Sequence, residues 1–358
     1  MSSGNEWPIG LLLDEVWLRA RRAVVNSLAD VGLWPDAAEQ LTFTTSKRLR
    51  GEELRDRVLL PALLEEDRRW IVSPAIFGAS NRRFRAKTPS ALAFGLDISK
   101  GMQMIVGRPV RQDVAEACAV FNFGSSIFDL LHDTQSDLVA DFTAQFDQSV
   151  LSRLNSDPDF PRRLVENSAQ SDVPEFRLIL QTIAAVYQRL HALDNGHFDE
   201  VAELLAAAYD AEIRSASLAA GQSIAELRQT SREKSTLPFA IISAIGDPDL
   251  GSGTQSTSHG QIVDSIGSIF WRIDDLADIV SDARSESLNF LLVEARRDEK
   301  AEIASTLTSL LEGSCIEASA KEVRDALLHV RSVVDECGDG SAKGFDRILA
   351  CYVRAWLE

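Results

Sequence analysis

The sequence is poor in strand signals. No sustained run places β-branched residues at alternate positions, which argues against any sheet-based fold. It is also short of cysteine and of the spacings that give cysteine a task. Cys118, Cys315, Cys337 and Cys351 form no CxxC pair in a chain of 358 residues, so reduced structural thiols and a cytoplasmic location are expected. No stretch reaches the roughly 18 apolar residues needed to cross a bilayer, which excludes an integral membrane protein. The N-terminal "MSSGNEWPIGLLLDEVW" lacks the basic start and long apolar core of a signal peptide. Basic residues are scarce as well. The 37 Lys plus Arg face 54 Asp plus Glu, and a net charge of −17 repels phosphate backbones and anionic lipid, so nucleic acid is not an expected partner. Apart from His132, no histidine has metal-ligand spacing, which argues against zinc.

What the chain does have is 45% hydrophobic residues, enough for a substantial core, and Ala, Leu, Glu and Arg recurring every three or four positions. The spacing predicts an all-α protein with helices over 10–31, 52–71, 89–106, 111–150, 174–193, 198–219, 221–246, 260–283, 300–312, 319–337 and 343–357. "SDPDFP" (156–161) and "GDPDLGSGTQSTSHG" (246–260) read as turn and linker, and the basic run "NRRFRAK" (81–87) as a solvated loop. With no internal repeat and no dividing linker, residues 1–358 are expected to form one domain, an antiparallel helix bundle around a central cavity.

Two helices carry an unusual load. In "FDLLHDTQSDLVADF" (128–142), Asp129, Asp133, Asp137 and Asp141 repeat every four residues. Such a series drifts by about 40° per step round a helix, so only two or three of the acids converge. The preceding "ACAVFNFGSSIFDLLH" is nearly all apolar or small, the pattern of a buried helix, and acids there need cations. Asp133 and Asp137, one turn apart, suit a hard divalent ion such as Mg²⁺. Downstream, "SIGSIFWRIDDLADIVSDARSESLNF" (265–290) repeats the arrangement with Asp274, Asp278 and Asp282, and Asp275 beside them. Two such helices facing one another would hold a metal cluster between them.

"LLHDTQSD" followed by "IFWRIDDLAD" resembles the two aspartate-rich motifs of the class I isoprenoid synthase superfamily, in particular the trans-isoprenyl diphosphate synthases. "REKSTLPFAIISAIG" (232–246) resembles that family's KT helix, with Lys234 at the diphosphate-binding lysine. The resemblance spans roughly residues 100 to 290. It implies three Mg²⁺ ions held by Asp133, Asp137, Asp274, Asp278 and Asp282, an allylic prenyl diphosphate as substrate, and a homodimer as a common assembly.

The departures matter as much. Thr134 stands where elongating synthases carry a second aspartate, as in the DTxxD of squalene and phytoene synthases, and Trp271 replaces a glutamine. The arginine pair that would grip isopentenyl diphosphate is missing from "LVADFTAQFDQSVLSR". The family's GGKRxRP element has only an echo in "TSKRLRGEELRDRVLLP", where Lys47, Arg48 and Arg50 read as ordinary basic residues. A chain that keeps the metal site and loses the co-substrate site implies a terpene cyclase, acting on a C20 diphosphate in preference, C15 next. Arg228, Arg232, Lys234 and Arg284 are then the candidate diphosphate contacts. Phe121, Phe123, Phe128, Phe270 and Trp271 are candidate liners of the pocket that shields the cation from water. The alternatives are an elongating trans-isoprenyl diphosphate synthase, a head-to-head condensing enzyme and a non-catalytic synthase-like regulatory subunit.

Overall fold

A computed structural model describes residues 9–72, 78–134, 159–169, 171–193, 198–216, 223–246, 257–285, 289–296, 302–337, 340 and 342–358. These residues form fourteen α-helices and no strand. In chain order they are α1 (Ile9–Ala29), α2 (Ala37–Leu54), α3 (Glu65–Val72), α4 (Gly78–Ile105), α5 (Gln112–Thr134), α6 (Phe160–Ser168), α7 (Pro174–Leu193), α8 (Phe198–Ala216), α9 (Ile224–Gly246), α10 (Thr257–Ser285), α11 (Phe290–Ala295), α12 (Ile303–Glu312), α13 (Cys315–Glu336) and α14 (Phe345–Leu357). Among the described residues no helix is long and apolar enough to cross a membrane.

Local chemistry sets most boundaries. In α1 the buried Leu12, Val16, Ala20, Val24 and Leu28 recur every fourth residue, an apolar stripe on one face. The helix stops where Gly32 takes φ +66° and Leu33 donates its N–H back to the Leu28 carbonyl at 2.8 Å. The carboxylate of Asp36 caps α2 by accepting from the Glu39 N–H.

Several boundaries differ from the sequence reading. The expected single helix over 52–71 is α2, then a π turn at Arg55–Leu59, a 3₁₀ turn at Leu60–Ala62 and a separate α3. Pro61, which has no N–H to offer a helix, sits in the 3₁₀ turn, and Leu63 after it is extended. α2 itself was not expected, because its buried face is thin: Gln40, Gly51 and Leu54. The backbone of the basic run 81–87 is helical rather than a loop, since α4 continues through Pro89. "SDPDFP" contains the start of α6, with Pro161 in the first turn, where its missing N–H costs nothing. α10 begins inside the supposed linker, and the short α11, capped by the Asn289 side chain, was not foreseen.

The helices pack so that α5 contacts α4 and α7, α9 contacts α8 and α10, and α10 contacts α13 and α14. One contiguous apolar core runs through these contacts. α7 is fixed to α3 by a buried network in which Asp67, fully enclosed, accepts from Arg177 at 2.7 Å and from Gln181 at 2.7 Å. The same Gln181 accepts the Leu64 N–H at 2.6 Å. α2 approaches α4 so closely that a Cβ at Gly51 would lie 2.0 Å from the Pro89 carbonyl oxygen. Gly51→Ala is therefore expected to destabilise the protein by about 1–3 kcal/mol, because rigid backbone rather than a side chain must give way. Gly10→Ala, with nothing within 4 Å of its Cβ, serves as the control and stays within about 0.5 kcal/mol. Urea unfolding of the two variants checks this, and equal midpoints would contradict the close approach.

Candidate active site

The upstream part of α5 is enclosed on all sides: Val114, Ala115, Cys118, Ala119, Val120, Phe123, Ile127 and Phe128 are all buried. Asp129, near the end of the described side chains of α5, presents its carboxylate to two other helices. Its Oδ1 lies 3.2 Å from Nζ of Lys234 on α9, and its Oδ2 lies 3.8 Å from Nζ of Lys87 on α4. The same Lys234 ammonium is 3.2 Å from Oε2 of Glu212 on α8. The last turn of α5 carries Asp133, whose side chain lies outside the described residues, as does the whole of Asp137.

α10 brings the second acidic series to the same place. Asp274 is exposed on α10. Its Oδ1 is 3.4 Å from the indole Nε1 of Trp356 on α14. Burial, then the charges of Asp278 and Asp129, raise its pKa to about 7, against the opposing pull of Lys234 and the Trp356 hydrogen bond. Asp274 thus lies within electrostatic range of both Asp129 and Lys234. Asp278, one turn on, is exposed.

The other acids of α10 do something different. Asp275 is buried on the inner side, where its Oδ1 accepts the Phe290 N–H at 3.3 Å and its backbone carbonyl accepts from Asn289 at 2.8 Å, anchoring the start of α11. Burial and the neighbouring Asp274 raise its pKa to about 8. Asp282 accepts a hydrogen bond from the Asn289 side chain at 2.9 Å. Among the described residues no three His, Cys, Asp or Glu side chains are grouped so as to hold a metal ion.

Beneath this rim lies a largely apolar cavity walled by α5, α7, α8 and α9. Phe121, Gly124, Ser125 and Phe128 line it from α5, Ile179, Thr182, Ile183, Val186 and Tyr187 from α7, and Leu205 and Ala208 from α8. Glu212, Lys234 and Pro238 complete the wall, so the lysine belongs both to the charged rim and to the apolar chamber. The Thr182 hydroxyl donates to the Ile179 carbonyl at 2.8 Å, which removes its proton from the lining. Of the aromatic residues expected to line a pocket, Phe121 and Phe128 do so. Phe123 is core filler, Phe270 stacks on Phe239 in an aromatic cluster with Phe94 and Trp356, and Trp271 packs on Phe290 under the Arg272 guanidinium.

The expected arginine contacts are also dispersed. Arg228 pairs with Glu294 and covers the Phe290 ring, Arg232 pairs with Asp264 at 3.2 Å, and Arg284 is exposed at the end of α10. Lys234 is the member of that set at the rim. Asp129 opens the four-residue series but stands outside the motif that marks Asp133 and Asp137. Lys87 ends a basic run whose sequence reads as a solvated loop. Glu212 had no signal at all, being one acid on an ordinary amphipathic helix.

An acid held above its ordinary 3.8 in the folded state costs stability once it ionises. The protein is therefore expected to lose stability as pH rises from about 4 through the folded value of about 7. Asp274→Asn should flatten that part of the profile, making the variant more stable than wild type at pH 8 and not at pH 4. Urea unfolding against pH at constant ionic strength reads this out, and parallel curves would contradict the crowding of charge at Asp274. In comparisons with known proteins, no family model, no curated protein and no solved structure matches this chain.

Proposed function

We propose that this protein is a Mg²⁺-dependent class I terpene synthase, which ionises an allylic prenyl diphosphate and lets the resulting carbocation cyclise. One observation carries the reading: Lys234, on the lip of an apolar cavity, holds Asp129 of one acidic helix at 3.2 Å, with Asp274 of the other within electrostatic range. A diphosphate with a long hydrocarbon tail has the matching halves, a polyanionic head for the rim and an apolar body for the chamber.

The residues at the rim suit a hard cation. Asp274 holds a proton up to about pH 7 because burial and neighbouring carboxylates disfavour its charge, and an oxygen-seeking divalent ion would neutralise that charge. Asp133, Asp137, Asp274 and Asp278, with Asp282, are the proposed ligands, and Asp129 joins them by position. When bound, Mg²⁺ supplies Lewis-acid stabilisation of the leaving pyrophosphate.

The chain's own residues do the rest. Lys234 contacts the diphosphate directly and stabilises the charge that develops on it. The wall of α5, α7 and α8 excludes water that would quench the cation. The faces of Phe121 and Phe128 attract positive charge by about 0.5–2 kcal/mol each. Gly124 carries no side chain on this wall, and a Cβ there would fall 2.7 Å from the Thr182 hydroxyl oxygen.

An elongating synthase is the second reading, and Lys47 is the observation in its favour. Its ammonium is half-buried, 5.3 Å from the Tyr352 ring and 5.8 Å from the Phe43 ring, and burial lowers its pKa. Tyr352 connects through Phe94 and Phe270 to Trp356 and so to Asp274. Against it, Arg50 is already committed to the buried Asp97 at 2.7 Å.

Incubation with Mg²⁺ and C10, C15 or C20 allylic diphosphates, with and without isopentenyl diphosphate, distinguishes the two. The expected product is a cyclic hydrocarbon or alcohol formed without isopentenyl diphosphate and abolished by Asp274→Ala. Longer diphosphates formed only with isopentenyl diphosphate would establish the elongating reading. Lys234→Met should slow pyrophosphate release by about 100- to 1,000-fold, the usual effect of removing one preorganised electrostatic contact.

A further inference from the structure

Lys234 sits between two carboxylates of different character. Asp129 belongs to the charged rim, whereas Glu212 belongs to the wall of the apolar cavity, and each is 3.2 Å from the ammonium. The Glu212 side chain is only 13% exposed and is the one carboxylate among the residues lining the chamber. Burying a carboxylate in an apolar wall is costly unless a cation compensates it, and here Lys234 does so. The polar companions in that wall, Ser125, Thr182 and Tyr187, offer hydroxyl oxygens, which are far weaker bases.

Resting on the cyclase reading, we propose that Glu212 is the base that ends the reaction, and that Lys234 keeps it occupied until substrate arrives. A diphosphate carries more negative charge than a single carboxylate and draws the ammonium to itself. Glu212 is then released from Lys234 beside the chamber where the cation forms. The allylic C–O bond breaks and its electron pair leaves with pyrophosphate. An alkene of the same chain attacks the cationic carbon and a C–C bond closes. A C–H bond next to the new cationic centre then breaks, its electron pair becomes a C=C bond, and the proton passes to a Glu212 carboxylate oxygen. Solvent takes that proton when product leaves, so the sum is one allylic diphosphate converted to one cyclic olefin, pyrophosphate and a proton.

The test uses the full chain with Mg²⁺ and whichever allylic diphosphate the wild type consumes, reading pyrophosphate release and extracted products in parallel. Glu212→Gln, nearly identical in shape, is read by its products per pyrophosphate released, whatever its overall rate. Its principal olefin should fall by about 100-fold relative to pyrophosphate, replaced by alcohols or other alkenes. Glu212→Asp, which keeps the charge on a shorter arm, should recover part of the olefin and decides the matter if the glutamine variant does not fold. The same olefin in the same proportion from both variants would overturn the proposal. If wild type itself releases no pyrophosphate from any allylic diphosphate, the cyclase reading fails first, and that outcome is visible without any variant.

Discussion

Carboxylates placed on buried helices must be compensated, and this constraint organises the centre of the molecule. α5 is buried through most of its upstream part and α10 along one face, and each carries acids within electrostatic range of the other. Ionising them in protein surroundings costs free energy that water would otherwise supply. The chain meets part of that cost with Lys234, which touches Asp129 of α5 and Glu212 of α8 at once. The result is a rim with a standing demand for positive charge above a chamber with none for water.

The walls of that chamber are set by contacts well away from it. α7 contributes five lining residues, and its position depends on Asp67, Arg177 and Gln181, which tie it to α3. The Gly51–Pro89 approach locks α2 against α4, and α4 in turn packs on α5. Substitutions at these sites alter the cavity through helix placement, without any change in its lining.

Helical character was legible because burial in α1 and α10 follows the three- and four-residue spacing of the sequence. The two acidic helices were legible for a related reason: a carboxylate repeated within apolar surroundings is costly and therefore conspicuous. What escaped was information that only tertiary contact carries. α2 has too thin a buried face to be announced by periodicity, and Pro161 and Pro89 punctuate the sequence without ending a helix. Asp275 sits in sequence beside Asp274, but the 100° between neighbouring helix positions sends one to the core and the other to the cleft. The partners of Arg228 and Arg232 come from α11 and α10, and no spacing rule within one helix could have assigned them.

The enclosed Arg272 gives α10 a fixed orientation. Its guanidinium lies 3.9 Å over the Trp271 ring, holds Glu322 of α13 at 2.6 Å, and is almost wholly buried. Positions 272 and 274 point to roughly opposite sides of the helix. Whatever grips Arg272 behind α10 therefore sets the angle at which Asp274 and Asp278 meet the cleft in front. The rotation of an acidic helix is governed by a neighbour on its far side, so the geometry of the rim can be retuned from α13 while every residue facing the cavity stays the same.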